Sequence, residues 1–160
     1  MARRRSAQVI PIDAARVLRE ATIDANHPGT ILRDFQALLD FVGPAGISTT
    51  GRHHLLPRSC LADLNARMSR PLDVRLKRPQ QRSYPNLDGL YLVGRASGLL
   101  QARGSGAKGR LVVDEAVRDA WDGLNATERY FTLLEAWLLH APQGGEGHGL
   151  TAGRGCLYEC

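Results

Sequence analysis

Aromatic residues make up only 6% of this 160-residue chain, so its interior has to be built chiefly from leucine, valine and alanine. Cysteine is scarce as well. There are three, Cys60, Cys156 and Cys160, and an odd number without framework spacing argues against a disulfide-stapled secreted domain. No run approaches the roughly 18 apolar residues that a membrane span requires. The basic start, Met1-Ala2-Arg3-Arg4-Arg5, has no apolar block behind it and is not a secretory leader. A cytoplasmic protein with no membrane partner is therefore expected. The signatures of nucleophilic, phosphate-cradling and zinc-protease chemistry are missing too. Lysine is almost absent: only Lys77 and Lys108.

What is present is a segregated charge. The net +5 divides into +9 over residues 50–110 and −5 over residues 111–160, with +1 in the first 49. A block of cations confined to the middle of a fold points to a binding face more directly than a high isoelectric point does. Nearly all of these cations are arginines, whose planar donors suit phosphate and carboxylate.

The length fits one domain flanked by two less structured ends. Residues 1–29 read as an arm with a short helix: Asp13 can cap it, Ala14, Val17, Leu18 and Ala21 form one stripe, and Asn26-His27-Pro28-Gly29 breaks it. Residues 30–141 hold the body. Thr30 is an expected N-cap for a helix whose face carries Ile31, Phe35, Leu38 and Val42, widened by Leu32 and Leu39 and stopped by Gly43-Pro44. A short extended piece then leads to a turn at Gly51. Ser59 is the expected cap of a second helix bearing Leu61, Leu64 and Met68. Leu72, Val74 and Leu76 alternate with polar residues, a strand-like period. A third helix starts near Pro85 or Asn86, with Leu87, Leu90, Tyr91 and Gly94 on one face; its interior glycines, Gly89 and Gly94, imply close packing or a need for clearance.

Residues 99–103 and 110–113 flank a Gly-rich loop and predict a hairpin. Asp114 caps a short helix with Val117 and Trp121. Asn125 and Glu128 have capping-box spacing before a helix that carries Tyr130, Phe131, Leu133, Leu134, Trp137 and Leu138, a stripe wide enough for a core or a self-association face. Residues 142–160 include six glycines and keep no apolar period, so a disordered tail is expected. The sum is a mainly α fold with a small β-hairpin: a winged-helix-like domain with extra C-terminal helices.

Several groups have ordinary explanations. His53-His54 reads as a turn, because adjacent imidazoles diverge and lack partner ligands. Cys156 and Cys160 have no second ligand pair, so no metal and no cofactor is expected. The Gly104–Gly109 loop leads into a strand and lacks the helix N-terminus that would hold a phosphate. Trp121 and Trp137 read as core residues at helical spacing, and Cys60 as a small core side chain. Catalysis therefore has little support, and the cations Arg75, Lys77, Arg78, Arg82, Arg95, Arg103, Lys108 and Arg110 are the candidate site. In a winged helix they would flank the third helix and touch the backbone of double-stranded DNA on either side of one groove. The third helix itself offers only Asn86 and Arg95 as base readers, and Asp88 would repel phosphate. A protein-interaction or dimerisation module therefore stays open as the alternative.

Thr-Ile-Leu-Arg-Asp-Phe-Gln-Ala-Leu-Leu-Asp-Phe at 30–41, Thr-Thr-Gly-Arg-His-His-Leu-Leu-Pro at 49–57, Lys-Arg-Pro-Gln-Gln-Arg-Ser-Tyr-Pro at 77–85 and Asn-Ala-Thr-Glu-Arg-Tyr-Phe-Thr-Leu-Leu-Glu-Ala-Trp-Leu-Leu at 125–139 resemble the N-terminal region of the Ri-plasmid open-reading-frame-three-like proteins. These are bacterial, often plasmid- or mobile-element-associated, and have no assigned catalytic residues. Because members are usually longer, the resemblance implies a truncated or fragmentary member, or an accessory domain of a longer protein. Thr49, Thr50, Gly51, Gly98-Leu99-Leu100, Trp121 and Ala136-Trp137-Leu138 carry a looser likeness to helicase-associated winged-helix domains, which supports the fold more than a function.

Overall fold

The computed structural model describes residues 22–140. The arm's helix at 13–21, the tail at 142–160 and the Cys156/Cys160 pair lie outside them. Helix α1 spans Ile31–Val42, strand β1 Ile47–Ser48, α2 Arg58–Ala66, α3 Pro85–Ala96, β2 Leu100–Arg103, β3 Arg110–Val113, α4 Glu115–Gly123 and α5 Ala126–Glu135, which runs on into one wide π turn, Ala136–His140. The strands form one antiparallel sheet in the order β1-β3-β2. Helix, strand, helix, helix and a two-stranded wing, with two helices added at the end, make the fold winged-helix-like. The expected hairpin is there, and β1 extends it to three strands by pairing Ile47 with Leu111 and Ser48 with Arg110.

Helix α1 forms the centre of the core. Leu32, Phe35, Leu38, Leu39 and Val42 are buried, and the helix packs on α2, α3, α5 and β3. Gly43 ends it with φ +60°, its N–H bonding to the Leu39 carbonyl at 2.9 Å. Thr30 does not cap it by the expected bond. Its hydroxyl donates to Asp34 Oδ2 at 2.8 Å, while Asp34 Oδ1 accepts the Ser69 N–H at 2.7 Å. The carboxylate that opens α1 thus also holds the far end of α2.

Three other expectations need correction. The α2 helix begins at Arg58 with Pro57 in the cap position, so Ser59 lies inside the first turn and caps nothing. Leu72, Val74 and Leu76 form no strand. Asn65 bonds both the N–H and the C=O of Leu72 at 3.0 Å each, which satisfies that backbone locally, and Leu72 and Leu76 stay exposed. The tryptophans also part company: Trp121 is 3% exposed and meets Phe35 edge to face at 5.4 Å, whereas Trp137 is 44% exposed. Cys60 is half-buried; its thiol donates to the Pro57 carbonyl at 3.1 Å, and burial pushes its pKa up to about 11.

The caps beyond the wing are as the sequence predicts. Asp114 Oδ1 accepts the Val117 N–H at 3.1 Å, and its Oδ2 takes the Gln101 amide at 2.7 Å. Asn125 and Glu128 form a complete capping box.

The two glycines of α3 differ. A Cβ on Gly94 would come within 2.6 Å of Leu100 Cδ1 and 2.9 Å of its Cγ, whereas one on Gly89 would meet nothing within 4 Å. Leu100 is buried and cannot retreat. Gly94→Ala is therefore expected to destabilise the fold by about 1–3 kcal/mol through overpacking. Gly89→Ala should stabilise it by about 0.5–1 kcal/mol through the lost backbone entropy of the unfolded chain. Urea melts of the two variants test this pair, and equal effects would contradict it.

Candidate nucleic-acid interface

Tyr91, on the buried face of α3, links two of the elements that carry the expected cations. Its hydroxyl donates to the His54 carbonyl at 2.9 Å and accepts from Arg95 Nη1 at 2.9 Å. Burial raises the pKa of this phenol, although the nearby Arg95 charge works against the rise. His54 sits in the turn after β1 with φ +54°. Its Nδ1 lies 3.2 Å from Thr49 Oγ1, and the Thr49 N–H donates to the Gly109 carbonyl at 2.9 Å. Gly109 is required here, because a Cβ would come within 2.6 Å of Thr49 Oγ1 and 3.2 Å of His54 Nδ1. One chain of bonds therefore fixes the α3 helix, the turn at 51–54 and the base of the wing as a unit. Each part carries a cation: Arg95, Arg52 and Lys108.

A second link fastens the connector between α2 and α3. Gln81 is buried; its Oε1 accepts the Leu56 N–H at 2.8 Å and its Nε2 donates to Asp88 Oδ1 at 2.7 Å. This places the connector's exposed Arg82 beside the start of α3. Arg58 Nε donates to the Pro79 carbonyl at 3.2 Å, so the α2 N-terminus lies against the segment that carries Lys77 and Arg78, both exposed.

On the wing, Arg103 and Arg110 are directly opposite one another in the β2–β3 register. Leu111 points into the core, so alternation turns both arginines to the outer face. Like charges in that position repel at about 5 Å between Cβ atoms. Two arrangements ease the repulsion. Arg110 Nη2 donates to the Ala45 and Gly46 carbonyls at 2.6 and 3.0 Å, and Arg103 Nη2 is 3.9 Å from Asp114 Oδ2.

Of the expected site residues, Arg95 and Lys108 are thus joined through Tyr91 and the turn, Arg103 and Arg110 pair across the wing, and Lys77, Arg78 and Arg82 line the connector. Arg75 stands apart: it is 88% exposed and bonds to Asp73 at 2.8 Å, which supplies its counter-charge. The two base readers are also separated. Nine residues of helix put Asn86 and Arg95 on opposite sides of α3, and Asn86 faces a groove shared with α5. Sequence reading missed Gln81, Arg52 and Arg58. Only the partly buried polar company of Gln81 in the fold identifies it, whereas the two arginines belong to the same basic block and could have been included.

Removing the Tyr91 hydroxyl leaves the His54 carbonyl and Arg95 without this partner. Tyr91→Phe is expected to lower stability by about 1–2 kcal/mol. A chemical melt checks it; no loss would mean that water replaces the hydroxyl.

Among the described residues no three His, Cys, Asp or Glu side chains gather as metal ligands, and no helix is long and apolar enough to cross a membrane. Comparison of the chain with protein families, with curated proteins and with solved structures finds no match.

Proposed function

We propose that this domain works by binding, without catalysis, and grips the sugar–phosphate backbone of double-stranded DNA with cations from its connector, its β1–α2 turn, α3 and its wing. The observation that carries the reading is the bond network through Tyr91, His54, Thr49 and Gly109, which ties together the three elements that carry Arg95, Arg52 and Lys108. Phosphate binding gains from such backbone preorganisation, since little loop freedom is lost on contact. The separation of Asn86 from Arg95 supports backbone contact over base reading. Kinship with the N-terminal region of the Ri-plasmid open-reading-frame-three-like proteins is part of this proposal and rests on the residue runs quoted above. Titration of duplex DNA with the full chain at two salt concentrations tests the reading; absence of binding at low salt would overturn it.

A second reading has its own support. Phe131, Leu138 and Leu139 are 49%, 58% and 67% exposed on α5 and the turn that follows it, a patch that fits a second copy of the chain. Sedimentation should then find a self-associated wild type and a monomeric Leu138→Asp/Leu139→Asp variant. A wild type that stays monomeric at all concentrations would remove this reading.

A further inference from the structure

Residues 72–79 run back along α2 and are clipped to it at both ends. Asn65 holds the N–H and C=O of Leu72, and Arg58 holds the Pro79 carbonyl. Around Val74 the chain has the alternation of a strand. Val74 packs against the core, while Asp73 and Arg75 stand in water and bond to each other at 2.8 Å. Neighbours on opposite faces, with i and i+2 on one face, are what an extended backbone produces. Yet from Asp73 to Arg78 no backbone N–H or C=O bonds to a partner among the described residues. We propose that this segment is an open strand, completed when an acidic, extended segment of another protein pairs with it. The inference does not rest on the nucleic-acid reading.

Three observations define the partner. First, the segment offers a row of backbone donors and acceptors, which a second strand matches group for group. A DNA duplex has no such row, and a bilayer interior would leave these groups without bonds. Second, residues 70–78 hold Arg70, Arg75, Lys77 and Arg78 against Asp73 alone. Opposite charges across a ladder stabilise the pair and like charges weaken it. The partner is therefore acidic; a second copy of this chain would bring the same excess of cations to the ladder. Third, Leu72 and Leu76 are 37% and 59% exposed. Phosphate does nothing to cover them, whereas apolar side chains at every second position of a paired strand would. The partner strand accordingly alternates Asp or Glu, facing Arg75 and Lys77, with apolar residues on the face of Leu72 and Leu76.

The probe is a short fluorescent peptide of alternating Glu and Val, titrated against the full chain by anisotropy. Replacing its Glu by Lys should weaken binding by ~10-fold or more, through like-charge repulsion. Two further peptides keep every Glu but carry N-methyl groups on alternate backbone nitrogens, one blocking each edge. The form blocked on the pairing edge should also lose ~10-fold or more, because ladder bonds are removed and charge is not. On the protein, Arg75→Pro and Leu76→Pro delete neighbouring N–H groups that point to opposite edges. Neither group is bonded in the free chain, so both variants should melt with wild type, and one of the two should lose the peptide. No binding of the Glu peptide, or equal affinity of all the Glu peptides with and without methylation, would overturn the proposal. Equal binding of both proline variants and wild type would do the same. Duplex DNA that displaces the peptide while methylation has no effect would assign the segment to phosphate alone, which also overturns it.

Discussion

Duplex DNA should bind the full chain roughly 100-fold more weakly at 200 mM salt than at 50 mM. Each phosphate neutralised contributes ~0.9 to the slope of log affinity against log salt, and four such contacts across a fourfold rise give about that loss. The estimate follows from the count of cations tied to the framework. Arg95 bonds to Tyr91 directly, Arg52 and Lys108 adjoin the segments that the Tyr91 network joins, and Arg82 neighbours Gln81 in the connector. Lys108→Ala with Arg52→Ala should lower the slope by about 2 and weaken binding to every duplex alike. Arg75→Ala should change little, because Asp73 already balances that charge. Two duplexes of unrelated sequence should bind within a few-fold of one another. A flat salt response, or a strong preference for one duplex, would contradict backbone contact by these residues.

Gln81→Leu should be the most damaging polar substitution in the fold, at about 2–4 kcal/mol. It leaves a buried backbone donor at Leu56 and the Asp88 carboxylate without their amide partner, and each orphaned group costs on the order of 1–3 kcal/mol. The shape is roughly conserved, so the loss reports hydrogen bonding more than packing. The urea midpoint should fall with an unchanged slope of unfolding free energy, and Arg78→Ala, on the exposed surface of the same connector, should stay within about 0.5 kcal/mol of wild type. Equal melting of Gln81→Leu and wild type would mean that the connector is not fastened where Gln81 holds it.

How far such features can be read from sequence depends on how local their causes are. The stripe through Phe35 and Leu38, ended by Gly43-Pro44, specifies α1 with nothing else present, and Asp114 and Asn125 announce their helices through bonds three residues long. Leu72, Val74 and Leu76 misled because alternation prescribes a face but cannot supply a partner strand; Asn65 took the backbone bonds instead. Ile47 and Ser48 are the converse case, an extended piece whose partner lies more than sixty residues away on β3. Ser59 was a sound cap residue overruled by Pro57, whose extended backbone already turns the chain into the helix. The cationic set was visible as composition, but its division into framework-tied, wing-paired and self-compensated members was not. Gln81 was hidden for the same reason: its bonds reach Leu56, 25 residues away, and Asp88, seven away. Trp137 was misplaced because helical spacing gives a stripe's direction without saying whether anything covers it.

Asp114 has a consequence for how the molecule comes apart. One of its oxygens holds the first turn of α4 and the other holds Gln101 on β2, so a displacement of this one carboxylate releases an anchor of both elements. Amide exchange in the wing and at the start of α4 should accordingly rise and fall together, as a single opening unit. A polyanion settling on the hairpin would then slow solvent access to a helix it never touches.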